Sequence, residues 1–227
     1  MKEYSIIFSG LLIPAVLDFR KTMTRRVIKP QPRPPNGICR IVPHSLEAGG
    51  FGFFDENRDY RCPYGEPGDR LYVKERWRYY DWTEDGDPWI EYADGTTKLC
   101  AAIDDEWREK TNNIWADLSD SENMLINGRA ADQKWRSPRF MPKWAARIWL
   151  ENTGVCGERL QDISEEDAIS EGIRGNEHEW VNYVYPENGR CFSSVTSFAS
   201  LWDNIYGIGA WDKNDWVWVI EFKRIEP

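Results

Sequence analysis

Lys21 and Thr24 lie three residues apart in the stretch RKTMTRR, residues 20–26, which is the densest cluster of cations in the chain. Nearby positive charge lowers the pKa of a lysine, and a neutral lysine can act as general base for a threonine hydroxyl. The spacing therefore predicts a nucleophile at Thr24 that is activated by Lys21. Two alternatives remain: Thr22 as the nucleophile, or a helix end whose cations simply offset the helix dipole.

A carboxylate far along the chain fits the same site. The segment SEEDAISEGI predicts a helix, with Ser164 and Asp167 as a capping box and Gly172 as its stop. Glu171 then falls in the last turn, where the helix dipole disfavours an anion and Asp167 repels it. We therefore expect Glu171 to have a cationic partner outside its helix, and Lys21 is the candidate.

The charge balance restricts how the chain could bind nucleic acid. A formal net charge of -9 does not suit coating by diffuse positive charge, so any contact must come from local patches. Two acid-free stretches qualify, residues 20–40 and 134–147. Tryptophans interleave with the cations of the second stretch, which fits base stacking but equally fits core strands. The predicted nucleic-acid contacts are Arg20, Arg25, Lys143 and Arg147.

Cysteine and histidine usage argues against a metal site. The five cysteines are odd in number and lack a C-x-x-C pair, and neither histidine lies close to a cysteine. We expect no metal and no other cofactor. The apolar run near the N-terminus lacks a cleavage signal, and no stretch reaches the roughly 18 apolar residues of a membrane span. The sequence predicts a soluble, cytoplasmic protein without membrane contact.

Several strands and a few short helices must position these residues. The sequence predicts strands near 4–9, 70–79, 145–155 and 216–225; apolar residues alternate in the second, and the last is apolar on both faces until Glu221, as in a central strand. Amphipathic spacing predicts a helix that includes Phe198 and Trp202. The fold class is α+β: a single domain built as a small mixed β-barrel, with an acidic insertion at about 81–134. A hairpin is expected there around Asp94-Gly95, and its acids are interpreted as a solvated surface.

The stretch FRKTMTRR resembles the G-x-K-x-x-E-x-R signature of the ASCH family, with Lys21 and Arg26 at the matching positions. Phe19 stands in place of the glycine. Thr24 replaces the glutamate and fits the K-x-x-T-x-R pattern of small bacterial ASCH proteins that hydrolyse N4-acetylcytidine. The resemblance implies a PUA-like barrel related to RNA-binding domains, with Lys21, Thr24 and Glu171 as the catalytic set. Other segments, such as MPKWAARI, resemble longer ASCH-like proteins of bacteriophages and prophages.

Three functions fit these observations. The first is an amidohydrolase for N4-acylated cytosine nucleosides or bases. Thr24 would attack the amide or position a water, Lys21 would carry its proton, and Glu171 would orient Lys21 or protonate the leaving amine. The second is a non-catalytic reader of a base in RNA or modified DNA, and the third is an RNA-cleaving ASCH protein. The expected partner is thus a modified cytosine nucleoside or single-stranded nucleic acid.

The predicted substrate contacts are Arg26, Glu75 and Trp77. Arg26 could steady an oxyanion. Glu75 shares an apolar strand face with Trp77, where a carboxylate is costly unless it has a partner, and it could accept a hydrogen bond from a cytosine amino group.

Overall fold

The computed structural model describes residues 1–32, 52–55, 58–83, 85–101, 105–119, 134–176, 179–187 and 189–226. Residues 33–40 of the first basic stretch and 120–133 of the predicted insertion lie outside this part. The chain forms two units. Unit 1 comprises Met1–Tyr4, Leu11–Leu71 and Ile148–Pro227, and unit 2 comprises Ser5–Gly10 and Tyr72–Arg147. The segment predicted as an insertion falls within unit 2.

The secondary structure is α+β, with many strands and few helices, as predicted. In chain order the strands are β1 (Glu3–Ile7), β2 (Met23–Val27), β3 (Gly52–Asp55), β4 (Arg58–Arg61), β5 (Arg70–Lys74), β6 (Trp77–Trp82), β7 (Pro88–Tyr92), β8 (Thr97–Leu99), β9 (Trp149–Arg159), β10 (Trp180–Val181), β11 (Arg190–Cys191) and β12 (Trp216–Ile225). The α-helices are α1 (Ile13–Leu17), α2 (Asp105–Ser119), α3 (Glu165–Ser170) and α4 (Ser194–Tyr206).

The main sheet has the strand order β1-β5-β9-β12-β2, so β1 and β2 are its two edges. Within the described residues this sheet is open, and the predicted closed barrel is not seen. The antiparallel register places Trp218 opposite Arg26 and Ile220 opposite Thr24. Because side chains alternate along a strand and directly opposed residues share a face, these four residues lie on one face of the sheet.

Helices α3 and α4 cover the other face of β12. Val217 and Val219 pack there in a core with Phe198, Leu201 and Trp202. Helix α4 begins with a reciprocal capping box between Ser193 and Thr196. Helix α3 has half of the predicted box: Ser164 accepts from the Asp167 amide at 3.0 Å, whereas the Asp167 carboxylate binds Arg25 instead.

Unit 2 is built around the antiparallel sheet β6-β7-β8. Gly95, in the predicted hairpin turn, has a φ of 82°, which glycine adopts without strain. The prediction of one strand over 70–79 was wrong in one respect: the structure has two strands there, β5 and β6, and the first ends just before Glu75. Helix α2 was not predicted, and Trp107 on it packs edge-to-face against Trp144 at 5.8 Å. In the described part of the chain, no helix combines the length and apolarity needed to cross a membrane.

Candidate functional site

A tight turn after α1 positions Lys21. The amides of Arg20 and Lys21 both donate to the Ala15 carbonyl at 2.9 Å, and Phe19 adopts a φ of 60° between α1 and this point. Phenylalanine is strained in this left-handed conformation, by about 1–2 kcal/mol. The guanidinium of Arg224 lies 4.9 Å from the Phe19 ring centre and donates to the Leu17 carbonyl at 2.9 Å. The turn therefore exists without the glycine of the ASCH signature.

Lys21 is buried and bound to Glu171, as the sequence predicted. Its Nζ donates to Glu171 Oε2 and to the Glu171 carbonyl, each at 2.7 Å, and to the Met23 carbonyl at 2.8 Å. An ammonium group has three N–H donors and no acceptor, so these three acceptors match it completely. The geometry thus favours the charged Lys21 as the resting form rather than the neutral base.

The pKa of Lys21 is lowered from its ordinary value of 10.5, mainly by burial. Glu171 opposes this effect, and the charges of Arg26 and Arg25 add to it only as the smallest contributions. The sequence predicted the direction from the neighbouring cations. The larger cause is the loss of water around Nζ, since burial disfavours the charged form of any lysine.

Arg25 is buried among carboxylates, which contradicts its predicted role as a nucleic-acid contact. Its side chain has no exposed surface. Its Nε donates to Glu158 at 2.7 Å, and its two terminal nitrogens donate to Asp167 at 2.8 Å and to Glu171 at 3.4 Å. These carboxylates hold the pKa of Arg25 above its ordinary value despite burial. Arg25 therefore ties β2 to β9 and α3, and it helps to fix the Glu171 carboxylate.

The close approach of α3 to the Lys21 turn depends on Gly172. This residue has a φ of 85°, and a Cβ built on it would lie 2.8 Å from the Cβ atoms of both Ala15 and Lys21. Contacts of this length do not occur between real carbon atoms, so no other residue fits without a shift of the backbone. Gly172 is thus required both as the predicted helix stop and as the point of contact.

Thr24 is buried and lines a cavity of about 20 Å³ together with Arg26 and Glu171. This volume holds about one water molecule. Thr22 is exposed, its amide donates to the Ser170 carbonyl at 2.9 Å, and its carbonyl accepts from Phe222 at 2.8 Å. Of the two threonines, Thr24 is therefore the one that lines a cavity together with Glu171.

A larger cavity of about 520 Å³ adjoins the small one, since Arg26 and Tyr206 line both. Its volume is typical of small-molecule sites. Three further aromatic side chains line it: Tyr60, Tyr64 and Trp218. Sequence reasoning missed these residues. The only available signal was the aromatic pair that brackets Cys62, because Trp218 looked like any other apolar residue in a central strand.

The predicted substrate contacts Glu75 and Trp77 lie in unit 2, and their surroundings contradict that role. Glu75 is buried and accepts two hydrogen bonds from Arg147, at 2.8 and 2.7 Å. Trp77 is 2 % exposed within the core of unit 2. Arg147 also binds Asp94 at 2.8 Å and stacks on Tyr92 at 4.1 Å, so its charge is already matched and the predicted phosphate contact is wrong.

Arg20 and Lys143 are both exposed, and their roles as nucleic-acid contacts stay predictions. Arg20 pairs with Asp18 at 3.4 Å, and both side chains are well exposed, so this pair contributes little. Among the described residues, no group of three or more histidine, cysteine, aspartate or glutamate side chains is placed to hold a metal ion.

Comparisons with protein-family models, with curated proteins and with solved structures found no match for this chain. The interpretation of the site therefore depends on its own geometry.

Proposed function

We propose that unit 1 hydrolyses the amide of an N4-acylated cytosine nucleoside or base, within the PUA-like architecture that the ASCH resemblance implies. The observation that carries the proposal is the buried Lys21–Glu171 pair, joined at 2.7 Å, whose Glu171 lines a cavity together with Thr24. Buried charges are costly, and a buried lysine whose pKa is lowered, paired with a carboxylate that lines a cavity, is typical of a catalytic site. The adjoining aromatic cavity offers surfaces on which a pyrimidine can stack.

The chemistry is an acyl transfer to water. Thr24 Oγ1 attacks the acyl carbon, or holds the water that does so; the bond from that carbon to N4 breaks, and N4 leaves with a proton as the cytosine amine. With Thr24 as nucleophile, water then releases the acyl group as a carboxylic acid. Arg26 lines both cavities, and in this proposal it stabilises the oxyanion that forms on the acyl oxygen.

Lys21 must change its contacts to take up a proton. Its Nζ meets three acceptors, so it accepts the Thr24 proton only after one of its own protons has passed to Glu171 Oε2 and a carbonyl contact has opened. Burial assists this transfer, since it disfavours the charged ammonium of Lys21. Glu171, now protonated, can return the proton to the leaving amine.

The test measures the release of cytidine and acetate from N4-acetylcytidine, with the products detected by chromatography and mass spectrometry. We expect turnover by the wild-type protein and a loss of at least about a hundredfold in Glu171→Gln, as is typical of an acid–base group. Glu166→Gln is the matched control, because Glu166 is exposed on the same helix. Absence of turnover on every acylated cytosine tested, or full activity in Glu171→Gln, would contradict the proposal.

A second candidate function is recognition of a base without chemistry. The observation that favours it is the saturated Lys21 nitrogen, which needs no rearrangement if the pair only shapes the cavity wall. Binding of N4-acetylcytidine without turnover, equally tight in wild type and in Glu171→Gln, would support this reader function over hydrolysis.

A further inference from the structure

The larger cavity of unit 1 is lined by positive charge, although the chain as a whole is acidic. Three cations, Arg26, Lys29 and Arg61, are among the residues that line it, and none of its described lining residues is an acid. Across the whole sequence, however, aspartate and glutamate outnumber lysine and arginine by 38 to 29. A cluster of one sign against the overall balance indicates a ligand of the opposite sign.

The lining also divides by depth. Of its aromatic residues, Tyr60 and Trp218 are buried, at 7 % and 3 % exposure. Lys29 and Arg61 are exposed and mark the mouth. Among the described residues, neither of these two cations forms an ion pair within 4 Å, whereas Arg25 and Arg147 each face carboxylates. The cavity thus combines buried aromatic residues with exposed charged donors.

We propose that this cavity binds a nucleobase that carries a phosphate, with the base against Tyr60 and Trp218 and the phosphate at Lys29 and Arg61. Charge-assisted hydrogen bonds from lysine and arginine are the strong contacts that proteins make with phosphate, and aromatic rings accept a base of any sequence. The substrate of unit 1 is then a nucleotide, either free or within a strand, rather than an uncharged nucleoside. The inference takes the identity of the base from the proposed function; the preference for phosphate does not depend on catalysis.

Binding is measured by calorimetry with cytidine, cytidine 5′-monophosphate and a five-residue single strand that contains one cytosine. We expect the monophosphate to bind wild-type protein about tenfold more tightly than cytidine, the effect of one good charged contact. The double variant Lys29→Gln, Arg61→Gln should lose this difference and keep its affinity for cytidine. Lys213→Gln, an exposed cation of unit 1 that does not line the cavity, should keep the difference.

Equal affinity for cytidine and its monophosphate in the wild type, or a difference that survives in the double variant, would overturn the inference. So would the failure of all three ligands to bind. The single-stranded oligonucleotide distinguishes two sources of the phosphate. If it binds more tightly than the monophosphate, and its affinity falls steeply as the salt concentration rises, the natural ligand is a polymer. If the two bind equally, the natural ligand is a free nucleotide. Both of these outcomes support the phosphate contact.

The two proposals fail separately. If N4-acetylcytidine 5′-monophosphate binds but is never hydrolysed, the phosphate site stands and the hydrolase function falls. If N4-acetylcytidine and its monophosphate are hydrolysed with equal kcat/KM, the hydrolase function stands and the phosphate site falls.

Discussion

Each unit of this protein holds a buried carboxylate that faces a cation, and the two sites differ in what lies beside them. In unit 2, Glu75 accepts two hydrogen bonds from Arg147, and Arg147 donates a further one to Asp94. In unit 1, Glu171 contacts Lys21 and Arg25 but also lines a cavity. A buried ion pair alone therefore does not mark a functional site. The small cavity at Glu171, which adjoins the larger aromatic cavity through Arg26 and Tyr206, distinguishes the candidate site from a structural contact.

The largest effect is expected when the cation of the Glu75–Arg147 pair in unit 2 is removed. Arg147→Met leaves Glu75, whose side chain is 3 % exposed, without its partner, so the free energy of unfolding should fall by about 3–5 kcal/mol. Urea unfolding followed by tryptophan fluorescence measures the change. Hydrolysis by the folded fraction should stay within about twofold of wild type, since Arg147 has no part in the proposed chemistry.

Lys21→Met is the corresponding variant in unit 1. We expect a loss of stability similar to that of Arg147→Met, but here the folded fraction should also lose hydrolysis. If Arg147→Met abolished hydrolysis by folded protein as well, the distinction between a structural and a functional pair would fail.

Gly172→Ala should have the next largest effect. The new Cβ meets Ala15 and Lys21 at 2.8 Å and the residue also has a positive φ, so we expect a loss of about 2–3 kcal/mol and a marked loss of hydrolysis. Gly209→Ala is the matched control: its φ is 81°, and no atom lies within 4 Å of the new Cβ. That variant should lose about 1 kcal/mol and keep its activity. Equal effects of the two changes would refute the contact between α3 and the Lys21 turn as the cause.

The titration of Lys21 tests the electrostatics of the pair. NMR observation of the carbon next to Nζ should give a pKa below the ordinary 10.5, because burial outweighs the attraction of Glu171. Glu171→Gln removes the charge that raises this pKa, so the pKa of Lys21 should fall further. A higher pKa in that variant would show that Glu171 does not stabilise the ammonium.

The smallest expected effect concerns the strained turn. Phe19 has a φ of 60°, a conformation that β-branched residues adopt with more strain than glycine. Phe19→Val should lower the free energy of unfolding by about 1 kcal/mol, whereas Phe19→Gly should not lower it, because relief of strain offsets the lost contact with Arg224. Thermal unfolding of both variants measures this order, and a more stable valine variant would contradict it.

Local rules predicted part of this structure well. A run that is apolar on both faces predicted the last strand, β12, at Trp216–Ile225, and the unfavourable position of Glu171 at its helix end predicted its contact with Lys21. Arg25 and Arg147 were misjudged because a cationic stretch does not reveal carboxylates that approach from distant strands. The aromatic cavity was missed for the same reason: Tyr60, Tyr206 and Trp218 come from separate segments, and only the fold brings them together.

The comparison of Thr24→Val with Thr22→Val tests the central claim most directly. Both threonines lie in the same cationic stretch, but Thr24 is buried and lines a cavity with Glu171, whereas Thr22 is exposed. With initial rates on N4-acetylcytidine as the measurement and circular dichroism as the check of folding, Thr24→Val should lose at least about a hundredfold in kcat/KM, and Thr22→Val should match wild type. Full activity in folded Thr24→Val, with loss in Thr22→Val, would contradict the account.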